Sequence, residues 1–95
     1  MMYVTLCNDR AGTTRDRTAR RLHWTPPDGV KVIGEYWLQT PNPRVIFISE
    51  VESIEPLFAA LTEWDDVFEM TVVPACTGEE GMRLAQQSML VTASH

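Results

Sequence analysis

The chain has 95 residues, a length that allows one domain with a single modest core. Hydrophobic residues make up 44% and charged residues 22%, which is typical of globular proteins and excludes a disordered chain, and no apolar run is long enough to cross a bilayer. The net charge of −5 repels nucleic acids and anionic membranes, so we expect neither as a partner.

The charge is divided unevenly along the chain. Residues 1–44 hold seven basic and four acidic residues, a net +3, whereas residues 45–95 hold one basic and nine acidic residues, a net −8. Such a split is typical of complementarity within a chain or between subunits.

The first half of the chain predicts two strands and a polar helix. Residues 2–7 alternate apolar with mixed side chains, which predicts a strand, and residues 13–16 have the spacing of a capping box that opens a helix to about His23. The helix has a thin apolar stripe of Ala11, Thr18, Ala19 and Leu22, and we interpret its four arginines, at 15, 17, 20 and 21, as a solvated face. Residues 25–29 predict a loop, followed by a strand over 30–38.

The second half predicts two more strands and two helices. Residues 41–43 predict a tight connection into a strand over 44–51. Ser53 is a good N-cap for a helix with an apolar stripe of Leu57, Phe58, Leu61 and Trp64. A fourth strand over 67–76 contains Pro74, which favours a sheet edge. The final helix opens at Thr77, runs to about Met89, and is expected to pack through Met82, Ala85 and Met89.

This order predicts one α+β domain over residues 1–95, a ferredoxin-like βαββαβ unit with an extra C-terminal helix. Its four-stranded antiparallel sheet has the order 4-1-3-2. We assign to the helices the faces Met2/Val4/Leu6, Val30/Val32/Tyr36/Leu38 and Phe68/Met70/Val72. The other face, which carries Trp37, Ile33 and Val67, is too apolar to leave in water, so we expect a homodimer whose two sheets form an α+β barrel.

Three segments carry a resemblance to a known family: Pro27–Trp37 (PDGVKVIGEYW), Pro43–Val45 (PRV) and Trp64–Pro74 (WDDVFEMTVVP). They resemble the domain-of-unknown-function family 3303 over roughly residues 2–90. More loosely, the chain is similar to the dimeric α+β barrel superfamily, which contains antibiotic-biosynthesis monooxygenases and muconolactone isomerase. The resemblance implies a fold and a dimer, but no reaction, because the motifs are structural rather than catalytic.

The predicted topology brings several aromatic and polar residues to the upper edge of the sheet, the end where the first strand finishes. These residues are Cys7, Asn8, Arg10, Trp37, Arg44, Trp64 and Asp65. Aromatic walls with a few polar groups suit a small-molecule pocket, and an arginine there could hold a carboxylate; Tyr3 is a further ligand-binding candidate. The alternative is that Trp64 caps the core while Arg10, Arg44 and Asp65 form surface ion pairs.

Two weaker patterns are candidates for chemistry. Cys76 and His23 form the one plausible reactive pair, since both are expected at the lower end of the sheet. Glu35 and Glu69 are expected on the mixed face, where a barrel dimer could bring them together and raise one pKa; Lys31 could neutralise them instead. The scattered cysteines and histidines lack metal-ligand spacing, so we expect no metal and no bound cofactor.

Two functional hypotheses follow. The first is a homodimer that binds, and could transform, a small, partly apolar organic molecule without a metal. The second is a non-enzymatic module whose apolar sheet face serves self-association. A void lined by Tyr3, Trp37 and Glu35 or Glu69 favours the first, and a filled interior favours the second. The lack of a signal-peptide pattern and the presence of just two cysteines lead us to expect a cytoplasmic location.

Overall fold

The computed structural model describes the backbone of residues 1–93 and the side chains of residues 1–90. The elements follow in the order β1 (Met2–Asp9), α1 (Thr14–Leu22), β2 (Lys31–Trp37), β3 (Val45–Glu50), α2 (Glu55–Trp64), β4 (Phe68–Ala75) and α3 (Gly78–Ala93). The predicted ferredoxin-like order with an extra C-terminal helix is confirmed.

The four strands form one antiparallel sheet in the order β2-β3-β1-β4. This is the predicted order, and it places β4 at an edge, where Pro74 costs the sheet little because an edge strand has a free side. The upper edge of the sheet is the end where β1 finishes at Asp9 and β4 begins at Phe68, which lie opposite each other.

Two helices begin with the caps that the sequence predicts. The Thr13 hydroxyl accepts a hydrogen bond from the Asp16 amide at 3.1 Å, and the Thr77 hydroxyl accepts one from the Glu80 amide at 3.1 Å. The start of α2 differs, because its N-cap position is Ile54 rather than Ser53 and has no side-chain cap.

The sheet face that the helices cover is the more polar one on β1, contrary to our prediction. Thr5 and Cys7 are buried beneath the helices, opposite Phe47 and Val45 on β3. Because side chains alternate along a strand, Met2, Val4 and Leu6 lie on the other face. Phe68 and Met70 of β4 do face the helices, as predicted, since they pair with Asp9 and Cys7.

A register irregularity in β2 reverses the predicted faces of the residues that follow it, whereas Val32, opposite Ser49, lies on the helix side as predicted. The pairing with β3 shifts between Val32 and Gly34, so Glu35 lies opposite Phe47 on the helix side and Tyr36 lies opposite Ile46 on the other side. The uncovered side, here called the open face, carries Met2, Val4, Leu6, Tyr36, Ile46, Ile48 and Val73.

The core under the helices is small. Cys7, Trp64 and Phe68 form its main buried cluster, and Leu57 and Ala60 of α2 are also buried. The predicted stripe of α2 is thus partly right, but Phe58 is 57% exposed, because it lies on the side of the helix that faces water.

Helix α1 is held by an arginine rather than by an apolar stripe. Arg17 is buried, donates to the carbonyl oxygens of Ala11 at 2.8 Å and Gly12 at 3.0 Å, and lies over the Phe68 ring at 5.5 Å. Leu22, which we expected in the core, is 76% exposed. The interpretation of the arginines as a solvated face is therefore wrong for Arg17.

Helix α3 projects from the domain instead of packing on it. The radius of gyration is 16.4 Å, whereas a globular chain of this length has a radius of about 12 Å. Met82 and Met89, together with Ala85, are exposed, so the predicted packing of α3 through these residues does not occur within one chain.

Candidate functional site

A cavity of about 280 Å³ lies between the helix layer and the sheet, where a larger core would otherwise be. All three tryptophans of the chain, Trp24, Trp37 and Trp64, line it. Phe47 and Phe68 add two more aromatic walls. The cavity is close to the size range of small-molecule sites and, like them, is mainly apolar.

Two of the tryptophans, Trp24 and Trp64, are held by contacts with each other and with neighbouring side chains. Trp24 meets Trp64 edge to face, with ring centroids 5.6 Å apart at 86°, and the Trp24 indole donates to the Glu63 carboxylate. Trp64 contacts Phe68 at 6.0 Å on its other side. Trp37 is 51% exposed, which places it where the cavity meets solvent.

Two polar side chains of β1 form the inner wall. The Thr5 side chain is 2% exposed, and within the described residues its hydroxyl has no hydrogen-bond partner. A buried hydroxyl without a partner is costly to the folded state. The oxygen is enclosed by protein atoms, so Thr5 borders the cavity through its other atoms. Burial, aided by the negative charge of Glu35, raises the pKa of the neighbouring Cys7 thiol to about 12, which keeps the thiol protonated and unreactive.

Glu35 is held at the cavity wall by two donors. Arg21 forms a forked contact with both carboxylate oxygens, at 2.8 Å and 3.1 Å, and the Trp37 indole donates at 2.8 Å. Burial raises the pKa of Glu35, but the hydrogen bonds from Arg21 and Trp37 together outweigh it, so the pKa is lowered overall. Glu35 therefore stays ionised and engaged, and it is a poor general base.

A second ion pair lies at the upper edge. Arg44 donates to the Asp9 carboxylate at 2.8 Å and 3.1 Å, and Arg17 approaches the same carboxylate at 3.3 Å. The hydrogen bonds from Arg44 lower the pKa of Asp9. Asp9 is thus shared by two arginines, both of which line the cavity.

Three of the five predicted ligand-binding residues lie at this cavity. Trp37, Trp64 and Arg44 line it, whereas Tyr3 and Arg10 do not. Arg10 forms a surface ion pair with Asp65 at 3.6 Å, as the alternative interpretation proposed for it. Trp64 belongs to the core cluster and also lines the cavity, so the two interpretations of this residue are compatible.

The structure does not bring the predicted carboxylate pair together. Glu35 faces the helices, whereas Glu69 lies opposite Asn8 on the open face, so the sheet separates the two within a chain. Their predicted meeting in a barrel rested on the wrong face for β2. Lys31 lies opposite Glu50 rather than beside Glu35.

Cys76 and His23 also lie apart. His23 precedes Trp24, which packs on Trp64 near the upper edge. Cys76 follows the far end of β4, and that strand of eight residues is roughly 23 Å long. The reason is that α1 crosses the upper edge instead of descending along the sheet, as the ion pair between Arg20 and Asp66 shows.

Sequence reasoning missed several residues of this site. Thr5, Asp9, Arg17 and Arg21 were not among the candidates, although all four contribute to the cavity or its ion pairs. One signal was available. A helix with four arginines and almost no apolar stripe needs another means of attachment, and arginine contacts with partly buried carboxylates and with backbone carbonyls supply it.

Other kinds of site are not found among the described residues. No group of three or more His, Cys, Asp and Glu side chains is placed to hold a metal ion. No described helix combines the length and hydropathy that a membrane span requires.

Comparison with known proteins identifies a family. A family model described as a domain of unknown function, DUF3303, matches residues 1–89. No curated protein and no solved structure matches the chain.

Proposed function

The chain belongs to the DUF3303 family, which is defined by a domain of unknown function, and we propose that it binds a small organic molecule with a largely apolar body in the cavity between its helices and its sheet. The observation that carries this proposal is the cavity itself, with five aromatic side chains around it. An empty apolar space of this size removes packing contacts from the core of a small domain. A bound ligand would replace those contacts.

We propose binding rather than catalysis because the reactive groups at the cavity are occupied. The Cys7 thiol is protonated at neutral pH, and Glu35 is engaged by Arg21 and Trp37. A cysteine nucleophile needs a thiolate, and a glutamate general base needs a carboxylate that is free to accept a proton. The free thiols of Cys7 and Cys76 support a reducing compartment, so we place this activity in the cytoplasm.

Tryptophan fluorescence tests the binding proposal directly, since every tryptophan of the chain lines the cavity. We expect saturable changes in emission and a raised melting temperature with at least one small aromatic probe from a set of 4-ethylphenol, ethylbenzene and 3-phenylpropanoate. Failure of the whole set would contradict the proposal.

A matched pair of variants locates the site. Ala60 is buried in the cavity wall, whereas Ala59, its neighbour on α2, is exposed. We expect Ala60→Leu to fill part of the cavity and abolish probe binding, and Ala59→Leu to leave binding unchanged. Circular dichroism checks that both variants fold, and Ala60→Val serves if leucine overpacks the site. Equal binding by Ala60→Leu and Ala59→Leu would place the probe elsewhere.

A second function, self-association, is favoured by a different observation, namely the open face and the unpacked α3. We propose that a second copy of the chain covers both. The sheet face offers roughly 450 Å² from its strand length and spacing, and α3 adds about 250 Å² from its rise and width. Their sum approaches the roughly 800 Å² per partner of a standard interface, which the sheet face alone does not reach.

The oligomeric state tests this second proposal. We expect a dimer by light scattering at micromolar concentration, a monomer for Val4→Asp on the open face, and a dimer for the matched control Leu22→Asp on the helix side. Removing residues 78–95 should weaken the dimer. A monomeric wild-type chain would overturn the proposal and leave the cavity unaffected, because the sheet separates the two surfaces.

A further inference from the structure

We infer that the ligand of the cavity is an uncharged organic molecule, about as large as a ring with a three-carbon chain, and that the cavity rejects carboxylates and amines of the same shape. This inference rests on the proposed binding function and narrows its ligand class. It draws on the pairing of the charged side chains that the structure describes at the cavity, on the aromatic walls, and on the cavity volume.

The arginines of the cavity wall are already engaged. Among the described residues, three arginines line the cavity, and each has a carboxylate partner within the chain. Arg44 donates to the Asp9 carboxylate at 2.8 Å, and Arg17 lies 3.3 Å from the same carboxylate. Arg21 donates to Glu35 at 2.8 Å. An anion that entered the cavity would have to compete with a carboxylate that is already in place.

The carboxylates at the wall balance these arginines in number. Asp9 and Glu35 hold the three guanidinium groups, and the Glu63 carboxylate accepts a hydrogen bond from the indole of a wall tryptophan. Arg20 and Asp66, which do not line the cavity, pair with each other. The described part of the wall therefore has no surplus charge that a charged ligand would neutralise.

The Cys7 thiol shows what a negative charge would cost inside the cavity. Cys7 is buried and lines the cavity, and burial, together with the negative charge of Glu35, raises its pKa to about 12. The same two effects, the loss of hydration and repulsion by Glu35, would act on a ligand carboxylate that lay beside this thiol. The interior therefore disfavours an anionic ligand.

A cation would find no free carboxylate in the described wall. The carboxylate that lines the cavity there is Glu35, which already accepts from Arg21 at 2.8 Å and 3.1 Å and from the Trp37 indole at 2.8 Å. A ligand ammonium group would have to displace one of these donors while lying among the positive charges of Arg17, Arg21 and Arg44. The loss of its own hydration adds to this cost.

The aromatic walls do not compensate a cationic ligand. The faces of aromatic rings attract cations, but guanidinium groups of the chain already lie over three of the five rings. These contacts are Arg17 over Phe68 at 5.5 Å, Arg20 over Trp64 at 4.9 Å and Arg21 over Trp24 at 5.4 Å. The surface that remains is apolar and aromatic, and an uncharged ring matches it.

The volume of the cavity sets the size of the ligand. A cavity of roughly 150 Å³ with apolar walls binds benzene. The cavity between the helices and the sheet holds about 280 Å³. At the same degree of filling, it takes a ring with a side chain of about three or four heavy atoms.

Two matched pairs of probes test the charge preference. They share a phenylpropyl skeleton and differ in the charge of the terminal group: 3-phenylpropanamide is compared with 3-phenylpropanoate, and 3-phenylpropan-1-ol with 3-phenylpropan-1-amine, which is protonated at neutral pH. We expect each uncharged probe to bind at least about tenfold more tightly than its charged counterpart, because the charged probe gives up the hydration of an ion. Affinities are measured by tryptophan fluorescence, excited at a wavelength at which the probes do not absorb.

A variant that unbalances the wall should change the preference. Glu35→Gln removes the partner of Arg21, so the affinity of 3-phenylpropanoate relative to the amide should rise at least about fivefold. Glu80→Gln is the matched control. It makes the same change of net charge on α3, where Glu80 pairs with Arg83 outside the cavity, and it should keep the wild-type ratio.

Asp9→Asn provides a second unbalanced variant. It frees Arg17 and Arg44 from the carboxylate that they share, so we expect the same rise in the relative affinity of 3-phenylpropanoate. It replaces Glu35→Gln if circular dichroism shows that Glu35→Gln is unfolded. If neither variant folds, the two probe pairs on the wild-type chain decide alone.

The outcomes distinguish the inference from the proposed function. If either charged probe binds the wild type as tightly as its uncharged counterpart, the inference is wrong and the proposed binding function stands. An unchanged ratio in folded Glu35→Gln would also overturn the inference, because charge pairing would then not be the cause of the preference. If none of the four probes binds, the proposed function falls and the inference falls with it.

Discussion

Replacing Thr5 with valine should stabilise the ligand-free protein. The Thr5 side chain is 2% exposed and its hydroxyl is unpartnered within the described residues, so the folded state bears the cost of stripping water from that group. Such a group costs about 1–3 kcal/mol, and valine has nearly the same shape without the hydroxyl. Valine also suits a β-strand, so the substitution brings no backbone penalty.

The gain can be measured without any ligand. A change of 1 kcal/mol shifts the melting temperature of a domain of this size by about 4–8 °C, so we expect Thr5→Val to melt at least about 4 °C higher. Urea unfolding should give the same difference in free energy of unfolding between Thr5→Val and the wild type. The slope of that free energy against urea concentration should be unchanged. All comparisons are made at one protein concentration, since association would itself raise stability.

Ser49→Ala provides a companion measurement. Ser49 is fully buried and its hydroxyl is also unpartnered within the described residues, but it does not line the cavity. Alanine leaves a small void, so the gain should be smaller than for Thr5→Val.

A loss of stability greater than about 0.5 kcal/mol in Thr5→Val would refute the reasoning, because it would mean that the hydroxyl already has a partner in the ligand-free protein.

Three further predictions concern other parts of the chain. In native protein at pH 8, a thiol reagent should modify the exposed Cys76 and spare Cys7, whose thiol burial keeps protonated, until denaturant is added; two fast thiols would contradict this. The lowered pKa of Glu35 means that its stabilising effect is present above the unfolded value of about 4.3 and is lost as pH falls through the folded pKa. Glu35→Gln should therefore lower stability at pH 7 and show a shallower loss below about pH 4, and parallel curves would contradict it. Gly29→Ala should destabilise by about 1–3 kcal/mol, since φ is +95° and a Cβ would lie 2.9 Å from Pro56, whereas Gly78→Ala, with open space around it, should be neutral or better; equal effects would contradict the argument.

The sequence predicted the order of elements well because local signals set it. The hydroxyl caps at Thr13 and Thr77 start helices through a hydrogen bond three residues away, and Pro74 marks an edge strand through its missing N–H. These are short-range effects, so they can be read from a single chain. The topological rules for antiparallel sheets then leave few arrangements of four strands.

The faces of the sheet could not be predicted in the same way. In β1 we assigned Val4 and Leu6 to the helices because they are more apolar than Thr5 and Cys7. The structure has the opposite arrangement, because the covered side borders a cavity with polar contacts. Hydrophobicity ranks two faces of a strand, but it does not say which of them the chain's own helices cover.

The ion pairs of the site depend on distant contacts. Arg21 meets Glu35 across 14 residues and Arg44 meets Asp9 across 35. An arginine on a polar helix looks the same in sequence whether it contacts water or a buried carboxylate. The position of α1 across the upper edge determines whether an arginine contacts water or a carboxylate. That position follows from tertiary packing rather than from helix propensity.

The alternation of β1 has a consequence for how the protein can change. Thr5 and Cys7 border the cavity, whereas Val4 and Leu6 lie on the open face. Adjacent positions of one strand therefore face different surroundings. Under the proposed binding function, substitutions at Thr5 and Cys7 would change which molecule the cavity accepts and leave the opposite surface as it was. Under the proposed self-association, substitutions at Val4 and Leu6 would change the assembly without reshaping the pocket, so the two properties could be engineered independently on one strand.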